Sequence, residues 1–103
     1  MPQIANLTNK QKRWLRQQAH HLKPLVLLGR QGLTDAVLAE ISLALDHHEL
    51  IKVRVNGGDH NERDAEVGTI AERANAALVQ RIGNIAVYFR ANPKRSDGIL
   101  LPD

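Results

Sequence analysis

The sequence predicts an α/β sandwich, with helices packed on a four-stranded mixed sheet in the order α-β-α-β-α-β-β. Two observations carry that expectation. Apolar residues recur at helical spacing in three stretches, and four short strand-like segments are interleaved with them, one all-apolar, one alternating and two joined by a tight turn. A chain of 103 residues, 43% of them hydrophobic, has enough apolar side chain for one core and too much for a disordered chain. A single domain over residues 1–103 is expected, with a core of about 7–91. The ends, Met1 to Asn6 and the tail 92–103, read as loose, the tail because of its Asn-Pro-Lys-Arg-Ser-Asp-Gly run.

The elements follow in order. Thr8 with Gln11 three residues on is a capping box, so the first helix starts there. On it Leu7, Trp14, Leu15 and Leu22 share one face, while Lys12, Arg13 and Arg16 take the opposite face. Pro24 ends it, because the residue before a proline avoids the helical region. Leu25-Val26-Leu27-Leu28 is an all-apolar run and reads as a buried strand of a partly parallel sheet. A second helix opens near Thr34 and Asp35, with Val37, Leu38, Ile41, Ala44 and Leu45 as its stripe. From Leu50 to Asn56 the chain alternates: Ile51, Val53 and Val55 face one way, Lys52 and Arg54 the other. Asn56-Gly57-Gly58-Asp59 is a turn, and a third helix runs from about Asn61 to Ala76. Leu78 to Ile82 and Ile85 to Arg90 make a hairpin about Gly83-Asn84.

The net charge of +3 conceals a marked asymmetry. Residues 1–34 hold Lys10, Lys12, Arg13, Arg16, Lys23 and Arg30 and no acidic side chain, whereas residues 35–79 hold nine acidic and four basic. Positive potential is thus concentrated on one part of a small domain, where it attracts polyanions.

Next to that basic third lies Gly29-Arg30-Gln31-Gly32, between a strand and a helix. A helix N-terminus presents unpaired N–H groups and the positive end of its dipole. Glycine lets a phosphate approach without meeting a Cβ, and Arg30 adds a charge-assisted contact. The segment therefore reads as an anion seat. Alone, a G-x-x-G is more often an ordinary strand-to-helix turn; the cation inside it and the neighbouring basic helix favour the seat. The spacing excludes a triphosphate-wrapping P-loop and lacks the third glycine of a dinucleotide fingerprint. A short clamp of this kind on a nucleic-acid backbone is the device of KH domains.

Leu22-Lys23-Pro24, the apolar strand, Gly29-x-x-Gly32-Leu33-Thr34, and Glu49-Leu50-Ile51-Lys52-Val53-Arg54 together resemble the CRM domain, the chloroplast RNA splicing and ribosome maturation domain, which in bacteria forms small stand-alone proteins of the YhbY type. The likeness extends to Tyr88-Phe89-Arg90 and Leu101-Pro102. It implies a fold like the C-terminal domain of translation initiation factor 3. It also implies RNA binding and association with large-subunit ribosomal precursors. In that family the G-x-x-G loop, usually with a basic residue inside it, is the proposed RNA contact, and Gly29, Arg30 and Gly32 match it while Gln31 occupies a variable place.

The expected RNA-binding set is Gly29, Arg30, Gln31, Gly32, Lys12, Arg13, Arg16, Lys23, Lys52 and Arg54. Lys52 and Arg54 either widen that surface or keep a sheet face soluble. Arg90, Lys94 and Arg95 form a basic cluster read as part of a solvated tail. Trp14 belongs in the core, and Tyr88 is either a base-stacking residue or buried. His20-His21 and His47-His48 read as helix-end residues, since adjacent helical side chains diverge by about 100° and no cysteine supports zinc. Asp59, Glu62, Asp64 and Glu66 suit a helix N-terminus. With Ser42 and Ser96 outside any nucleophile motif, the chain reads as no enzyme, with no catalytic residues, cofactor, metal or small-molecule substrate. The missing cysteines and membrane-length apolar runs favour a cytoplasmic protein without a membrane partner. The alternative function is a protein-interaction module docking on a ribosomal protein.

Overall fold

The computed structural model describes residues 7–29, 31–55 and 59–102. Along these run α1 (Asn9–Ala19), β1 (Pro24–Leu27), α2 (Asp35–His48), β2 (Leu50–Arg54), α3 (His60–Arg73), β3 (Ala77–Ile82) and β4 (Ile85–Phe89), the order expected from the sequence. The four strands form one mixed sheet in the order β1-β2-β4-β3. β1 is parallel to β2, and β4 is antiparallel to both its neighbours. Asn56-Gly57-Gly58, read as part of a turn, lies outside the described residues.

Strand order fixes the layers. The crossovers β1-α2-β2 and β2-α3-β3 both step across the sheet in the same direction, so a common handedness puts α2 and α3 on the same face. There Ile41 and Leu45 of α2 and Val67 and Ile70 of α3 bury against Val26, Leu28, Ile51, Val53, Val55, Ala86 and Tyr88. α1 takes the other face, where Leu15 and Ala19 meet Leu50, Val79, Val87 and Phe89. Trp14 is half-buried against this second cluster, as its place on the apolar face predicted.

Local chemistry sets the helix ends. Thr8 and Gln11 form the expected capping box: Gln11 N–H donates to Thr8 Oγ1 and Thr8 N–H to Gln11 Oε1, both at 3.0 Å. Thr34 Oγ1 caps α2 by accepting from Val37 N–H, and Asp59 caps α3 by accepting from Glu62 N–H. α3 closes with Asn75 at φ 52°, a left-handed position that asparagine tolerates. Gly83 makes the β3–β4 turn at φ 57°.

Three expectations are corrected. β1 is an edge strand rather than a fully buried one: Val26 and Leu28 are buried, but Leu25 and Leu27 are 50% and 63% exposed. α1 packs over β2 and β3, which leaves the outer face of β1 open. Leu22, placed on the apolar face of the first helix, lies beyond the end of α1 and is exposed.

The tail expected to be loose is fastened to the body. Glu49 is buried, and its carboxylate accepts from Asn92 N–H and Ile99 N–H, both at 2.6 Å, with Arg95 at 3.4 Å. Ile99 and Leu101 pack beside Leu7 and Trp14, and Gln11 Nε2 donates to Pro102 O. Charge-assisted bonds to consecutive segments of a tail offset its chain entropy.

Tyr88 resolves to the buried alternative. Its hydroxyl donates to Val67 O at 2.7 Å, fixing β4 to α3. Burial pushes its pKa well above the ordinary value, with Arg81 opposing the shift weakly. A raised folded-state pKa means stability is intact below the unfolded-chain pKa of about 10 and declines as pH rises beyond it. Tyr88 is the only tyrosine. Tyrosinate absorbance should therefore appear together with unfolding in an alkaline titration; ionisation with the fold retained would contradict this burial.

Candidate nucleic-acid interface

The basic residues divide into two groups by what they touch. On the side of α2, α3 and the tail, most cations are paired: Arg73 with Asp35, Arg81 with Asp64, Arg90 with Asp46, and Arg95 with Glu49 and Asp97, while Arg63 and Lys94 have no ion-pair partner among the described residues. Arg90 also donates to Ala74 O and Ser42 O, both at 2.8 Å, so it joins β4 to α2 and α3. Of the basic cluster assigned to the tail, Arg90 and Arg95 are thus structural, and Lys94 is exposed. In contrast, among the described residues none of Lys12, Arg13, Arg16, Lys23, Lys52 and Arg54 has an ion-pair partner. The acidic residues of α2 and α3 occupy the opposite face of the sheet, so the fold separates the two signs of charge.

Register connects most of these cations. Arg54 is the Cα partner of Leu27, and Leu28 N–H donates to Arg54 O at 2.9 Å, which places Arg54 beside the strand end that leads into Gly29. Lys52 is one pleat further along on the same face, opposite Pro24. It lines a cavity together with Arg16 of α1 and His20 at the end of that helix. Arg13 and Arg16 in turn border a shallow groove with His20 and His21. A cationic strip thus runs from the end of β1 through Arg54 and Lys52 to α1. Lys12 is half-buried one helical turn before Arg16. Lys23 is exposed but lines a different cavity, with Leu22, Leu25 and Leu50, and stands apart from the strip.

The loop is more constrained than its sequence indicates. Gly29 is exposed, with space where a Cβ would stand. Gly32 has φ +70°, and a Cβ there would collide with the Glu66 carboxylate. The positive φ favours glycine at Gly32, and a larger residue there would also displace the Glu66 carboxylate. The amides are partly committed: Gly32 N–H donates to Gly29 O at 3.0 Å and Leu33 N–H to Glu66 Oε2 at 3.2 Å. Among the described residues the amides of Gln31, Asp35 and Ala36 have no acceptor, and Gln31 is exposed. Any anion seat therefore lies on the Gln31 side and the first turn of α2, with Glu66 bounding it on the other. Arg30 lies outside the described residues.

The sequence reading missed His20, Gln80 and Ile82, which border the strip. The spacing of Arg13, Arg16 and His20 held a signal for the histidine, since residues three and four apart share a helix face. Gln80 and Ile82 held none, because only the position of β3 next to β4 brings them there. Among the described residues no group of three His, Asp or Glu side chains is placed to hold a metal, and no helix is long and apolar enough to cross a membrane.

The structure defines an α/β module with one cationic and one acidic face. The chain belongs to the CRS1/YhbY (CRM) domain family, which it matches over residues 7–90. It is similar to a Haemophilus influenzae protein named RNA-binding protein, 48% identical over 96% of this chain and 98% of the relative. It is also similar to a probable RNA-binding protein of Bacillus subtilis, 38% identical over 93% of this chain and 99% of the relative. The fold matches the solution structure of a hypothetical Staphylococcus aureus protein described as an RNA-binding candidate. That match has a TM-score of 0.77 and 33% identity, and it covers 94% of this chain and 100% of the other.

Proposed function

We propose that this chain is a non-catalytic, cytoplasmic module that binds structured RNA, with ribosomal RNA in large-subunit precursors as its target. The observation that carries the reading is the concentration of unpaired cations on α1, β2 and the approach to β1, while Arg73, Arg81, Arg90 and Arg95 on the other side are paired with carboxylates. The names of the relatives agree with it. Gly29 and the free amides near Gln31 supply the phosphate contact, Arg30 its charge, and Arg13, Arg16, Lys52 and Arg54 the continuation along the backbone. Recognition is mainly of shape and phosphates, because Tyr88 and Phe89 are buried and unavailable for stacking.

The test compares two charge reversals of equal size, Arg30→Glu and Lys94→Glu, in filter binding to an RNA hairpin from the large-subunit RNA. The loop variant should lose about tenfold in affinity, the worth of one charge-assisted phosphate contact, and the tail variant less than about twofold. Equal losses would remove the loop from the site.

Exposed Leu22, Leu25 and Leu27 along the edge strand favour a second reading, docking on a ribosomal protein. It requires that the chain stay on ribosomal particles after ribonuclease treatment; release with the digested RNA supports the first reading.

A further inference from the structure

We propose that the cavity between α1 and the β3–β4 hairpin receives one unpaired nucleotide of the bound RNA. The proposal rests on the RNA-binding reading and gives it a site for a base. The cavity measures about 290 Å³, at the small end of ligand sites and too small for a duplex or a protein helix. Its floor is aliphatic: Ala19 and Val87 are buried, Ile85 is half-buried, and Ile82 stands at one side, 67% exposed. Its rim is polar, made by Arg16, His20, Lys52 and Gln80, and no acidic residue lines it.

That arrangement complements a nucleotide part by part. A nucleobase has apolar faces, a hydrogen-bonding edge and an anionic phosphate attached. The aliphatic floor suits the face. The half-buried Gln80 amide carries both a donor and an acceptor and has no hydrogen-bond partner among the described residues, so it is available to the edge. Arg16 and Lys52, also without ion-pair partners there, suit the phosphate. A base held in a duplex keeps its edge paired and its faces stacked, so only an unpaired one fits. Covering Ile82, a large apolar side chain exposed among cations, adds to the gain. A protein partner able to neutralise this rim would need acidic groups around a single small apolar side chain, whereas a nucleotide carries that combination in one unit.

The test uses three RNA hairpins: fully paired, with one bulged nucleotide, and with the same bulge made abasic. The wild-type chain should bind the bulged hairpin at least about fivefold more tightly than the paired one, and the abasic hairpin no better than the paired one. A Gln80→Ala/Ile85→Thr variant, unchanged in charge, should bind the bulged hairpin no more tightly than the paired one. Thermal unfolding checks that it is folded, and Gln80→Ala alone should lose part of the preference if the double variant is not. Binding of all hairpins without a bulge preference, or a preference that survives both variants, would overturn the pocket and leave the RNA reading intact. Failure to bind any hairpin would overturn both.

Discussion

Reversing two charges on α1, Arg13→Glu with Arg16→Glu, should lower RNA affinity by about 100-fold and leave the unfolding midpoint within a few degrees of wild type. Both side chains are exposed, and neither has a partner among the described residues, so the fold loses no contact. Each contributes about tenfold where it meets a phosphate of its own, which sets about 100-fold as the combined loss. Loss of two phosphate contacts also makes the dependence of log K on log salt shallower by roughly 1.5. An affinity loss with an unchanged slope would mean that these arginines act through something other than the RNA backbone.

The largest stability effect should come from a basic residue that looks no different in sequence. Arg90→Met keeps most of the methylene packing and removes bonds from one guanidinium to Ala74 O, Ser42 O and the Asp46 carboxylate. The side chain is 22% exposed, so screening by water reduces the effect, and about 2–4 kcal/mol is expected. At about 4–8 °C per kcal/mol for a domain of this size, the midpoint should fall by roughly 8–32 °C. The salt slope of RNA binding at low temperature should not change. A midpoint within a few degrees of wild type would show that Arg90 is not the link between β4 and the two helices.

Arg90 and Arg16 illustrate which features were legible in the sequence. Short-range signals carried through: the Thr8–Gln11 box, the Gly83-Asn84 turn and the alternation of Ile51, Val53 and Val55 depend on neighbours a few residues away, and the structure realises each. The charge asymmetry was likewise readable, since α1 and β1 come from one continuous segment. What could not be read depends on strand order. An all-apolar run is as compatible with an edge strand as with a central one, so Leu25 and Leu27 gave no sign that they face outward. The tail pattern of proline, glycine and polar residues concealed its fastening, because the carboxylate that holds it, Glu49, lies 43 and 50 residues before the amides it accepts from. Glu66 reaches Leu33 across 33 residues in the same way, and so limits a loop whose local sequence promised more free amides than it has.

The separation of charge to opposite sides of one sheet is the claim on which the functional account depends, and an amide NMR titration with an RNA hairpin tests it most directly. The shifts should concentrate on α1, on Lys52 and Arg54 of β2, and on Gly29 and Gln31, and they should fade as salt is raised. Shifts concentrated on the outer surfaces of α2 and α3, with α1 unmoved, would contradict it.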